Sequence, residues 1–175
     1  FNTKISMGSV ANKAKVLSAD EVRNIVNSSG NNTYIPLLGS ANTDWQDQIY
    51  QSALGFDNNI SVAGKQRMAK DFELPYRLSL GYLTQDGILR TDNFKRFTGS
   101  LNLNPKFLDD HLSVNLALKY SNTKNNFANG GAIGSAIAFD PTQSVMSSSG
   151  KFGGYTEWLD GTGTLIDLAT RNPVA

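Results

Sequence analysis

Cysteine is absent from this sequence, and histidine occurs once, at His111. The first absence removes disulfides and thiolate metal sites. It says little about compartment, because a barrel held by its hydrogen-bond ladder needs no staple. The second leaves a Ser-His-acid relay a single candidate, at a predicted turn-to-strand junction beside Asp109 and Asp110, which reads as a solvated turn histidine. A metal centre lacks a second His or Cys, and no D-x-[DN]-x-[DN]-G loop occurs. No apolar run approaches the roughly 20 residues that a helix needs to cross a bilayer. That excludes a helical span and leaves open β-strands, which cross with about 9 to 11 residues and show themselves by alternation. Excess charge is missing too: 16 basic and 15 acidic residues give a net +1. Both signs are scattered, without the clustered Lys and Arg of a phosphate-tracking surface, so no nucleic-acid partner is expected.

The 175 residues, 39% of them hydrophobic, would suit one modest domain. The chain starts at Phe1 without an initiator Met and stops at Asn172-Pro173-Val174-Ala175, and is expected to be a piece of something longer. Its dominant pattern has period two. Phe1, Thr3, Ile5 and Met7 alternate with Asn2, Lys4, Ser6 and Gly8. Four further strands form a meander: Ile60 and Val62; Tyr76, Leu78, Leu80 and Tyr82 against Arg77 and Ser79; Phe97, Leu101 and Leu103 against Arg96, Thr98, Ser100 and Asn102; Leu112 to Tyr120 against Ser113, Asn115, Ala117 and Lys119. Connections are expected at 11–55, 65–74, 84–93 (around Asp86-Gly87), 105–110 and 123–175. The first holds two predicted short helices. One starts at the capping box Ser18-Ala19-Asp20-Glu21 and carries Val22, Ile25 and Val26 on one face; the other starts at Thr43-Asp44-Trp45-Gln46, with Trp45, Ile49 and Ala53 as its stripe. A third helix is predicted at Ala132–Phe139, inside the last, Gly- and Ser-rich excursion.

No cluster calls for a cofactor, and none suggests an enzyme. Asp160-Gly161-Thr162-Gly163-Thr164 lacks both the G-x-x-x-x-G-K pattern and an uninterrupted Asp-Thr-Gly, and reads as a loop. Asp44 and Asp47 are explained by helix capping around a buried Trp45. Tyr155 and Trp158, aromatics in a Gly-rich stretch, are the candidate ligand platforms, against the alternative that they pack their own loop. Arg77, Arg96 and Lys119 stand on faces where a soluble sandwich wants a second apolar layer or plain solvent. Tyr76 and Tyr82 bracket one apolar face, and Leu112 and Tyr120 another. Two readings stay open on pattern alone: a transmembrane barrel with a polar lumen and aromatic edges, or a soluble antiparallel sheet with one wet face.

A run of segments in fixed order adds a resemblance. Leu17-Ser18-Ala19-Asp20-Glu21, Thr43-Asp44-Trp45-Gln46-Asp47, Asn59-Ile60-Ser61-Val62-Ala63-Gly64, Leu80 to Ile88 (LGYLTQDGI), Lys95-Arg96-Phe97, Leu101-Asn102-Leu103 and Asn172-Pro173-Val174-Ala175 resemble the early barrel of SusC/RagA-type TonB-dependent outer-membrane transporters. The chain departs from that pattern in Lys65–Leu74, where many relatives have a tighter turn, and at Ser144, where proline is common. The resemblance implies an all-β fold: an antiparallel meander in a plugged, roughly 22-stranded transmembrane barrel. Residues 1–175 would supply about five early strands, with short helices in extracellular loops 11–55 and 123–175 and the plug absent. It implies Arg77, Arg96, Ser100, Asn102, Asn115 and Lys119 facing the lumen and Phe97, Leu101 and Leu103 facing lipid. It also implies nutrient import across the outer membrane of a Gram-negative, Bacteroidota-type cell. The partners would be a SusD-like surface lipoprotein, TonB acting through the plug, outer-membrane lipid, and glycan, oligosaccharide or peptide cargo. A soluble carbohydrate-binding β-sandwich or a structural surface barrel is the alternative.

Overall fold

The computed structural model describes residues 1–69, 71–108, 111–148 and 151–175. They form two units: Phe1–Ser9 with Ser52–Phe127, and Val10–Gln51 with Ala128–Ala175.

The first unit is a seven-stranded antiparallel sheet. Its strands are β1 (Asn2–Gly8), β2 (Ala53–Ala69), β3 (Phe72–Asp86), β4 (Asn93–Leu103), β5 (Lys106–Phe107), β6 (Leu112–Ser113) and β7 (Leu116–Asn126). The main path runs β1-β2-β3-β4-β7, each strand beside its predecessor as a meander requires, while β5 and β6 form a small side hairpin on β3. Alternation fixes the register, since a slip of one residue would turn every apolar side chain to the other face. Four of the expected strands form as such, with two corrections. Residues 65–74 are not a connection: Lys65 pairs with Pro75, Gln66 with Leu74 and Arg67 with Glu73, and Ala69 pairs with Phe72 after a bulge. Glu73 ties that extension together, accepting from Arg67 at 2.7 Å and forming an ion pair with Lys65. The fifth expected strand is split, because Leu112 and Ser113 pair back with β5 and the ladder to β4 begins at Leu116. Val114 donates its amide to the Pro105 carbonyl at 3.0 Å, and Asn115 lies outside any strand. Asp109 and Asp110 lie outside the described residues. His111 is exposed, with Nδ1 2.7 Å from the Leu108 carbonyl oxygen, a turn contact.

The second unit holds α1 (Ala19–Ser29), α2 (Trp45–Ile49), α3 (Gly131–Ala138) and single 3-10 turns at 35–37 and 152–154. The Ser18 capping box forms as its spacing requires: the Glu21 amide donates to the Ser18 hydroxyl and the Ser18 amide to the Glu21 carboxylate at 2.7 Å. The second expected box does not form. Asp44, not Thr43, caps α2, accepting from the Gln46 and Asp47 amides at 3.0 and 3.1 Å. Thr43 instead donates its hydroxyl to the Gln143 carbonyl, and the Gln46 side chain both donates to and accepts from the Ala14 main chain. The helix ends at Ile49, and Ala53 opens β2. Segments far apart in sequence are then joined through the main chain: Ala41 and Thr43 amides donate to the Thr142 and Pro141 carbonyls, and Gly39 donates to the buried Thr142 hydroxyl. Trp45, 2% exposed, sits edge-on to Phe139 at 4.8 Å and donates its indole N–H to the Asp140 carbonyl.

Candidate functional site

The sheet has two faces of opposite chemistry. Directly opposite residues share a face, so the register can be read as rows. Across β2, β3, β4 and β7 the rows on one face are Ile60-Leu80-Gly99-Tyr120, Val62-Leu78-Leu101-Leu118 and Gly64-Tyr76-Leu103-Leu116. The Tyr76 ring covers Gly64, so that a side chain there would collide with it. Most of these apolar side chains are exposed, Val62 by 55%, Leu118 by 54% and Leu78 by 44%, while Leu101 and Leu103 are half-buried. Every hydrophobic side chain that is buried among the described residues, namely Ala19, Trp45, Ile49, Ala136 and Phe139, belongs to the other unit. The sheet therefore has an apolar face and no core beneath it.

Aromatic rings edge that face. Phe56 in β2, Tyr82 in β3, Phe97 in β4 and Tyr120 in β7 form one border, with Phe97 and Tyr120 6.2 Å apart. Tyr82 and Phe97 share a row, whereas Phe56 stands one row nearer the long connections and Tyr120 one row farther from them. A level band on tilted strands must cut across hydrogen-bonded rows in this way. Phe72 stacks on Phe107 at 4.8 Å at the other end of the same face. From Phe72 to Tyr82 the chain runs about 33 Å at roughly 3.3 Å per residue. A tilt of about 40° reduces that to about 25 Å, the height of a barrel's lipid-facing band.

The other face is polar. Its rows are Asp57-Leu83-Arg96-Thr123, Asn59-Gly81-Thr98-Ser121, Ser61-Ser79-Ser100-Lys119 and Ala63-Arg77-Asn102-Ala117. Thus Arg77, Arg96, Ser100, Asn102 and Lys119 share one face, opposite to Leu101 and Leu118. Asn115, off the ladder, lines a recess together with Arg77 and Asn102. Gly81 is buried between Asn59 and Thr98, whose side chains occupy the space a Cβ would take, and the neighbouring recess of about 450 Å³ is floored by Ser79, Ser100 and Ser121.

In the second unit Trp158 lines two clefts. One, of about 730 Å³, is bounded by Val22, Asp44, Trp45, Phe139 and Asp140; the other, of about 480 Å³, by Val26, Tyr34, Leu37, Ile166 and Leu168. The Trp158 ring also lies 6.2 Å from that of Phe139. Tyr155 lines neither cleft and bridges to Met146. The two candidate aromatics are thus placed separately. Val22 and Val26 were legible as the apolar stripe of α1, but the contribution of Ile166 and Leu168 had no local signal. The Asp160 loop is a self-contained turn: one carboxylate oxygen accepts from the Thr162 hydroxyl and from the Thr162 and Thr164 amides, which together hold its pKa below the ordinary carboxylate range. Among the described residues no group of three or more His, Cys, Asp or Glu could hold a metal ion.

The Glu21 carboxyl is also held low, first by the Ser18 amide and then by its hydroxyl. A carboxyl depressed in the folded state stabilises α1 above its ordinary pKa, and that contribution is lost as pH falls through the folded value. Hydrogen exchange across residues 18–29, corrected for intrinsic rates, is expected to lose protection on acidification, whereas Glu21→Gln should show weaker protection without that step.

An antiparallel sheet with one bare, aromatic-edged apolar face and one polar face is consistent with part of a β-barrel, and sequence comparison gives the class: the chain is related to TonB-dependent receptors. It is 42% identical over 166 residues to the TonB-dependent receptor SusC of Bacteroides thetaiotaomicron, a match covering 93% of this chain and 16% of that receptor. Two TonB-dependent receptors of Formosa agariphila match at 34% over 98 residues (56% of this chain, 9% of the receptor) and at 28% over 136 residues (77% and 12%). No protein-family model matches the chain. The chain is a relative of SusC-type TonB-dependent receptors and corresponds to a small segment of their length.

Proposed function

We propose that residues 1–175 form an early stretch of wall in a roughly 22-stranded, plugged outer-membrane barrel that imports nutrients under TonB control. The bare apolar face carries this reading. A soluble sandwich would have to bury Val62, Leu78, Leu80 and Leu118 under a second layer, whereas lipid covers them directly. Arg77, Arg96, Ser100, Asn102 and Lys119 then line the lumen, with Asn115 at its rim, around plug and cargo.

Loop length gives the orientation. The long excursions, both in the second unit, and residues 87–92 leave from one end of the sheet, and the short link from Ala69 to Phe72 leaves from the other. Outer-membrane barrels keep short turns on the periplasmic side, so the helices and clefts of the second unit lie outside the cell. Trp158 is the residue best placed to touch cargo, a glycan, oligosaccharide or peptide, and Tyr155 serves its own loop. No residue is assigned a chemical step. A SusD-like lipoprotein is the expected outer partner, and TonB acts through the plug. Expression of the full-length receptor in an outer membrane, followed by mild-detergent pull-down, tests this: recovery with a surface lipoprotein is expected, and a receptor that is soluble and alone would overturn the reading.

A further inference from the structure

Just beyond the aromatic border, on the apolar face, the register sets two ammonium groups side by side. Phe56, Thr84, Lys95 and Lys124 occupy one row, and Lys95 and Lys124 are directly opposite. Residues so paired have Cβ atoms about 4.5 to 5.5 Å apart, and like charges there destabilise the sheet. Both lysines are exposed, and neither takes part in an ion pair among the described residues. The acid on this face at that end is Asp86, diagonal to Lys95, and it accepts from the Asn93 side-chain Nδ2 at 2.7 Å. On β7 the outward-facing neighbours of Lys124 are Asn122 and Asn126, further donors, with Tyr120 beyond.

We propose that Lys95 and Lys124 hold the phosphate of an anionic lipid headgroup. Their position selects the source. A lysine on the polar face would meet water, and a single lysine at this border would simply snorkel. Two opposed lysines at the edge of an apolar band stand where acyl chains end and headgroups begin, so a bound phosphate offsets their repulsion while its chains lie along Phe97, Leu101 and Leu118. The inference rests on the membrane-wall reading and goes beyond it by naming a lipid site.

The test uses the full-length receptor and its Lys95→Gln/Lys124→Gln double variant in phosphatidylcholine nanodiscs doped with lipid A or with its dephosphorylated form, with retained lipid counted by native mass spectrometry. The wild type is expected to retain lipid A over the dephosphorylated form, and the double variant to lose that preference by about tenfold. Lys119→Gln, on the polar face, should leave it intact. Equal retention in the double variant, an equal loss in Lys119→Gln, or displacement by free inorganic phosphate at matched concentration would overturn the lipid site while leaving the wall in place. Failure of the wild type to enter nanodiscs would overturn both.

Discussion

Leu101→Arg is expected to destabilise the assembled barrel by about 2 to 4 kcal/mol, the penalty for a cation near the midplane of a lipid-facing wall. Ser100→Arg, one residue earlier, should cost little. The register supplies the contrast: Leu101 lies in the row Val62-Leu78-Leu101-Leu118, with apolar rows on both sides, whereas Ser100 lies between Ser79 and Lys119 on the polar face. Heat-modifiability of the full-length receptor and its yield in the outer membrane read the difference. Equal damage from the two changes would mean that the faces are wrongly assigned. Asn115 and Leu116 make a weaker contrast, because Asn115 precedes the ladder and is not held to a face by pairing.

The second large effect belongs to the helical unit. Trp45→Ala is expected to destabilise it by about 3 to 5 kcal/mol, the usual cost of truncating a buried Trp. The indole is nearly inaccessible, packs edge-on against Phe139, and satisfies the Asp140 carbonyl. Its removal leaves a cavity and an unpaired acceptor together. Limited proteolysis of intact cells should then cut within residues 30–44 or 140–148 while the barrel stays heat-modifiable. Unchanged protection would show that Trp45 is not the centre of that unit's packing.

The strands were legible because alternation puts apolar side chains on one face of the sheet and polar ones on the other. Where it failed, the reason is local. Lys65, Arg67 and Glu73 lie on the polar face and stabilise the β2–β3 extension by ion pairing, which hydrophobic periodicity does not register. At residues 112–121 the alternation is unbroken, but Leu112 pairs with Phe107 in place of continuing the ladder on β4, a choice of partner that no pattern within the strand can express. Thr43 and Asp44 are both good cap residues, and the carboxylate took the cap while the hydroxyl joined a segment a hundred positions away. The same limit applies to Asn172, 3% exposed, whose amide group donates to the carbonyls of Val145 and Thr156. Its sequence resembled a family segment, but its role as a cross-link is visible only in three dimensions. Of the two candidate aromatics, Trp158 reached cleft walls and Tyr155 did not, because a Gly-rich stretch leaves side-chain direction to its long-range contacts.

A sheet that separates lipid from a polar interior must show that separation with a period of two residues. Single spin labels placed in turn at Leu78, Ser79, Ser100, Leu101, Leu118 and Lys119 of the full-length receptor in bilayers would report collision with oxygen, which concentrates in lipid, and with a polar nickel chelate, which stays in water. Oxygen access is expected at Leu78, Leu101 and Leu118 and low oxygen access at Ser79, Ser100 and Lys119, alternating residue by residue. Water-like access at Leu78, Leu101 and Leu118, or no alternation, would contradict that separation.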